Sequence, residues 1–135
     1  MRDMNATPRP TAQQGSALLE ALVSILVFSL GVLGIVALLA KSTQFSVDAE
    51  DRTRAAMLAN ELASQMWENQ STSLDSGVIS TWQARVQATG SGLPSASATC
   101  SVDSSGLATI TVTWKALWRK SDEQANTYST QVLIP

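Results

Sequence analysis

The chain of 135 residues carries nine Lys and Arg against eleven Asp and Glu, a formal net charge of −2, and its length suits one modest domain plus an appendage. It has no His and a single Cys, which removes the commonest metal ligand and general base, any intramolecular disulfide and any two-thiol redox centre. No basic patch dense enough for nucleic acid can be assembled from so few cations, so no nucleic-acid partner is expected.

The sparse charges are unevenly placed. Residues 21–40, ALVSILVFSLGVLGIVALLA, contain none. At ~1.5 Å rise per residue such a stretch reaches ~30 Å, about the hydrocarbon thickness of a bilayer. Signal-peptide apolar regions run ~7–15 residues and end in a small-x-small cleavage site. This run is longer, and Lys41-Ser-Thr-Gln follows it with no such site well placed. A core helix can be apolar all round, but this chain is too small to bury one on every side. A membrane-spanning helix is therefore predicted, behind a short polar leader bearing Arg2 and Arg9. One carboxylate, Glu20, stands at the leading edge of the run. An acid costs about 2.5–3.5 kcal/mol at mid-membrane and less near the interface. Taken alone, Glu20 could simply face headgroup water.

Gly15, five residues earlier, changes its meaning. The block Gly15-Ser-Ala-Leu-Leu-Glu20, between a polar leader and an apolar helix, resembles the processing site of type IV prepilins. In that family a membrane peptidase cuts after the Gly, and the fifth mature residue is Glu. The resemblance puts the cut between Gly15 and Ser16, assigns Ser16 as the N-methylated residue and makes Glu20 the assembly residue. It extends through Ser29-Leu-Gly31-Val-Leu-Gly34 and the stretch from Arg52 to Met66-Trp67, where the pattern is similar to the PilV family of minor pilins, the type IV pilus modification proteins. It covers residues 10–70 well and the remainder in outline. Ser16 is a departure, since Phe is usual at that place. What the resemblance implies is a leader over 1–15, a transmembrane and assembly helix over 16–40, and a periplasmic pilin-like domain over 41–135. It also implies prepilin peptidase, a major pilin, other minor pilins, an inner-membrane assembly platform and the lipid bilayer as partners.

The physics of the block agrees. Glycine lets a peptidase approach the backbone closely because no Cβ intervenes. After a cut, the amine of Ser16 and the carboxylate of Glu20 are opposite charges at one end of an apolar helix. Staggered helices could pair one chain's Glu20 with the next chain's amine, which low dielectric favours over leaving either charge alone.

Beyond Lys41 the helix becomes amphipathic. Ala55, Leu58, Leu62 and Met66 recur at three and four residues, one helical face, and Asp51, Arg54, Glu61 and Gln65 are read as the wetter side. No Pro occurs from 16 to 70, so one helix of about 50 residues is expected, ending near Asn69-Gln-Ser-Thr-Ser. Gly31 and Gly34 are its weak points, each costing up to about 1 kcal/mol relative to Ala. They serve either close helix packing or, as the resemblance implies for assembled filaments, local unwinding.

The C-terminal half is rich in Ser, Thr and short apolar alternations. Residues 78–88 fit a helical face through Ile79, Trp82 and Val86 or a strand through Trp82, Ala84, Val86 and Ala88; a short helix is preferred. Thr89-Gly-Ser-Gly-Leu-Pro94 reads as a loop. Ala108, Ile110, Val112 and Trp114 alternate with threonines in the clearest strand. Ala98, Cys100 and Val102 suggest its hairpin partner, and residues 128–134 a third strand. Only a five-residue connection, 103–107, sets Cys100 opposite Ile110 and joins the apolar rows; a one-residue slip would separate them. Cys100 is then expected to be buried as a small hydrophobe.

No catalytic set is expected. Serines are many but lack a base, and nothing in the sequence sets Lys41, Lys115 or Lys120 beside one. Asp48, Glu50 and Asp51 lack calcium-loop spacing and are read as a solvated face beside the membrane. Trp118-Arg119-Lys120 lies in a polar connection and is read as exposed. The expected protein is α+β and pilin-like, a long N-terminal helix on a small antiparallel sheet. It is neither an enzyme nor the holder of a metal or cofactor. The expected function is that of a minor pilin in the tip or priming complex of a type IV pilus, held in the inner membrane by one span with its C-terminal domain in the periplasm before it joins the extracellular pilus. The alternatives are a minor pseudopilin of a type II secretion system and a signal-anchored periplasmic scaffold outside any filament.

Overall fold

The computed structural model describes residues 13–135, and the leader's Arg2 and Arg9 lie outside them. Helix α1 runs Gln13–Glu68 without interruption, as a Pro-free segment allows. Its hydroxyls turn inward on the helix: Ser29 Oγ donates to the Ile25 carbonyl at 2.7 Å and Thr43 Oγ1 to Leu39 at 3.0 Å. Polar groups in an apolar stretch are thereby satisfied without leaving it.

The chain divides into two compact units, one ending at Thr43 and the other Gln44–Pro135. The first is the apolar part of α1, long and apolar enough to cross a membrane once. None of its large apolar side chains is covered by the chain itself.

In the second unit α1 becomes the wall of a core. Ala55, Ala59, Leu62 and Met66 are fully buried and Leu58 packs beside them. Each large aliphatic taken from water contributes about 1.5–3 kcal/mol, while the two alanines let neighbouring layers come close. The helix ends in a Schellman arrangement: Gln70 takes a left-handed φ of 49°, its N–H bonds Trp67 O, and Ser71 N–H bonds Met66 O. Helix α2, Ser76–Gln87, is capped by Asp75, whose Oδ1 accepts from Gly77 N–H at 2.7 Å. That satisfies one of the amides a helix start leaves unpaired. Trp82 and Val86 enter the core from α2, so the helical period prevails over the strand alternative. Arg85 of α2 pairs with Glu61 of α1.

A short 3-10 turn, Thr89–Ser91, leads to three antiparallel strands in the order β1-β2-β3: Ser97–Val102, Ala108–Trp114 and Asn126–Val132. The third begins two residues before the alternating stretch from 128. Val102 faces Ala108 and Cys100 faces Ile110, the register of the five-residue connection. Asp103 holds that connection, its Oδ1 accepting from Ser105 N–H, Ser105 Oγ and Leu107 N–H. These bonds favour the ionised carboxylate, and the Ser105 hydroxyl leads in holding its pKa below the usual value. The inner face of β2, Ala108, Ile110, Val112 and Trp114, is buried throughout. The outer face of the sheet holds Ser97, Thr99 and Ser101, then Thr109, Thr111 and Thr113, then Thr127, Ser129 and Gln131. It presents hydroxyls and one amide, with neither charge nor apolar side chain.

Candidate functional site

Gly15, Ser16 and Glu20 lie in the first two turns of α1 and are exposed. Ser16 and Glu20, four residues apart, share one helical face. Among the described residues, nothing beyond its chain neighbours and the helix's own backbone lies within 4 Å of the place a Cβ on Gly15 would occupy. Past Glu20 the large apolar side chains from Leu22 to Leu39 all stand outward, between 42% exposed at Val32 and 72% at Phe28 and Leu38. Among the described residues, no side chain comes within 4 Å of the Cβ positions of Gly31 or Gly34. So continuous an apolar surface fits a single membrane span.

The acidic cluster differs from its sequence reading. Glu50 is exposed and pairs with Arg54, but Asp51 is only 5% exposed and Asp48 is half-buried. Asp51 lies four residues before Ala55 and so begins the buried stripe rather than the wet face. It lines a cavity of about 470 Å³ with Val47, Leu93, Pro94, Leu117 and Trp118. Its Oδ2 is shut away from solvent without a hydrogen-bond partner. Burial pushes its pKa up, the Arg54 charge opposes this, and Asp48 and Glu50 add to the rise. Asp48 Oδ1 and Trp114 Nε1 are likewise buried and unpartnered, and both residues line a second cavity of about 330 Å³ with Arg119 and Asn126.

The connection from β2 to β3 is ordered by its own bonds. Lys115 N–H donates to Pro94 O, Lys115 Nζ to Ser121 O and Arg119 Nη1 to Gln124 O. Lys115 thus meets a backbone carbonyl rather than a serine hydroxyl. Leu117 is 87% exposed and Trp118 42% exposed, as expected for the tryptophan. Leu117 had no signal in the sequence, being one apolar residue in a polar connection.

Cys100 is half-buried, and burial raises its thiol pKa. Full burial was expected; β1 is an edge strand, and its inner row opens from Ala98 through Cys100 to an exposed Val102. Among the described residues no three His, Cys, Asp or Glu side chains gather around a point fit for a metal ion. Compared with models of protein families, with curated proteins and with solved structures, the chain matches none.

Proposed function

We propose that the chain is a minor pilin, cut between Gly15 and Ser16 and assembled through Glu20 into a type IV pilus as part of its tip or priming complex. The observation that carries this reading is the block Gly15-Ser-Ala-Leu-Leu-Glu20 at the head of a continuous apolar helix whose outward side chains lack any cover from the chain itself. Before assembly the bilayer covers that surface, with the second unit in the periplasm; afterwards the helices of the major pilin and other minor pilins do. A neighbour's new amine pairs with the exposed Glu20, and that pairing sets the stagger between helices. The inner-membrane assembly platform and prepilin peptidase are the partners this cycle requires.

Glu20→Ala tests it. Removing the charge eases insertion, so the variant is expected in the membrane at normal levels, cut at Gly15 yet missing from complexes with other pilins. Co-purification with those pilins at the level of the unsubstituted protein would overturn the assembly role. A minor pseudopilin would pass the same test in a secretion complex, and the identity of the co-purifying partners separates the two. A signal-anchored scaffold would not be cut at Gly15.

A further inference from the structure

The connection from β2 to β3 makes a tight turn over residues 116–119, closed by the Arg119 N–H on the Ala116 carbonyl at 3.0 Å. Its two corner residues are Leu117 and Trp118. Such corners project from a fold and are ordinarily Gly, Pro, Asn, Asp or Ser. Here one is the most exposed large apolar side chain among the described residues, and the other is an exposed tryptophan. The tip is held in that position. Lys115 Nζ donates to Ser121 O at 2.7 Å, Arg119 Nη1 to Gln124 O at 3.2 Å, and Ala116 is buried beneath. Single exposed apolar residues are ordinary, but no other two exposed large apolar residues of the second unit are adjacent in the chain.

The tip's neighbours say what covers it. Leu117 and Trp118 line one cavity with Val47 and Asp51 of α1, and Arg119 lines another with Asp48, Ala49 and Arg52. The tip therefore stands beside the part of α1 that begins at Val47, seven residues after Ala40 ends the uncharged run, with an exposed Phe45 between. Seven helical residues rise about 10 Å, and the polar layer of a bilayer is about 5–7 Å deep on each side. A side chain beside Val47 thus has the headgroups of a bilayer entered by the apolar run within its reach. Charge does not choose the partner: Lys115, Arg119 and Lys120 are offset by Asp122 and Glu123, and Arg52 and Arg54 by Asp48, Glu50 and Asp51, which is no polybasic patch. The remaining attraction is that of a tryptophan, apolar with one polar N–H, for a membrane–water interface. We propose that Leu117 and Trp118 dock the second unit on the surface of the bilayer that α1 enters, the leucine reaching the upper acyl chains and the indole the headgroup layer. The proposal rests on the membrane span over 21–40 and not on the pilin reading.

The test uses the full-length protein in phosphatidylcholine vesicles, plain or brominated on the acyl chains near the glycerol. Flotation with the vesicles at alkaline pH reports the span separately. The emission of Trp118 is the difference between the parent and Trp118→Phe. That emission is expected to be lost in brominated vesicles, and the loss to be unchanged by salt or by added phosphatidylglycerol. Leu117→Ser, which leaves the core untouched, is expected to restore it. A floating chain whose Trp118 emission is equal in plain and brominated vesicles would overturn the proposal, as would equal loss in Leu117→Ser. Shielding of Trp118 that arises only as protein is concentrated in the vesicles would give the tip to a second copy and overturn it too. A chain that does not float would overturn the span and the docking together.

Discussion

Trp82 of α2 donates its indole N–H to the carbonyl oxygen of Leu58 on α1 at 2.8 Å, and its ring is fully buried between them. The carbonyl has a second lone pair to offer beyond its helical bond, so the contact fixes α2 against α1 without breaking either helix.

Trp82→Phe keeps most of the apolar volume and loses this bond. The expected cost is about 1–2 kcal/mol, read as a lower thermal midpoint in detergent with the helical signal unchanged. Trp82→Ala, which adds a cavity, is expected to cost about 3–5 kcal/mol. Equal midpoints for Trp82→Phe and the unsubstituted protein would mean the bond contributes nothing.

Asp51 gives the fold a pH dependence of unusual sign for a carboxylate. Burial leads in raising its folded pKa, so between its unfolded and folded pKa values the folded state holds the proton more tightly. The penalty for burying the charge is fully present above the folded pKa and is relieved as pH falls through it towards the unfolded value. Asp51→Asn is therefore expected to be more stable than the parent at neutral pH, by about 1 kcal/mol, with the margin shrinking towards pH about 4. Comparing melts of the two proteins across that range cancels the opposite contribution of Asp103. A margin that grows on acidification would contradict the assignment.

Cys100 stands opposite Ile110 and is partly buried, and burial disfavours the reactive thiolate. Labelling of the native, unreduced protein is expected to run about tenfold slower than that of the unfolded chain, with no reducible dimer. Labelling at the unfolded rate would show that the hairpin opens freely.

The elements most legible in the sequence were those with a strict period. Ala55, Leu62 and Met66 announced the buried stripe of α1, and the alternation in 108–114 announced both β2 and the hairpin register, because any slip would have set Cys100 against Thr109. Asp51 escaped because period and polarity conflict there. Its spacing from Ala55 puts it on the buried face, while its charge puts it on the wet one, and the fold buries it. The paired burial of Asp48 and Trp114 Nε1 had no sequence signal, since the residues are far apart in the chain. Gln70 in a left-handed C-terminal cap was foreseen as a turn but not in its conformation, which glycine would ordinarily supply.

The proposed processing site is carried by a motif, and among the described residues nothing outside the helix backbone crowds Gly15. A side chain there leaves the folded chain undisturbed and obstructs only a peptidase that must close on the backbone. Intact-mass measurement of the membrane-extracted protein, made alongside prepilin peptidase, therefore reads the proposed cut itself. A parent chain beginning at Ser16 and a Gly15→Val chain that keeps residues 1–15 are expected. A parent that retains its leader, or a Gly15→Val chain that loses it as readily as the parent, would contradict it.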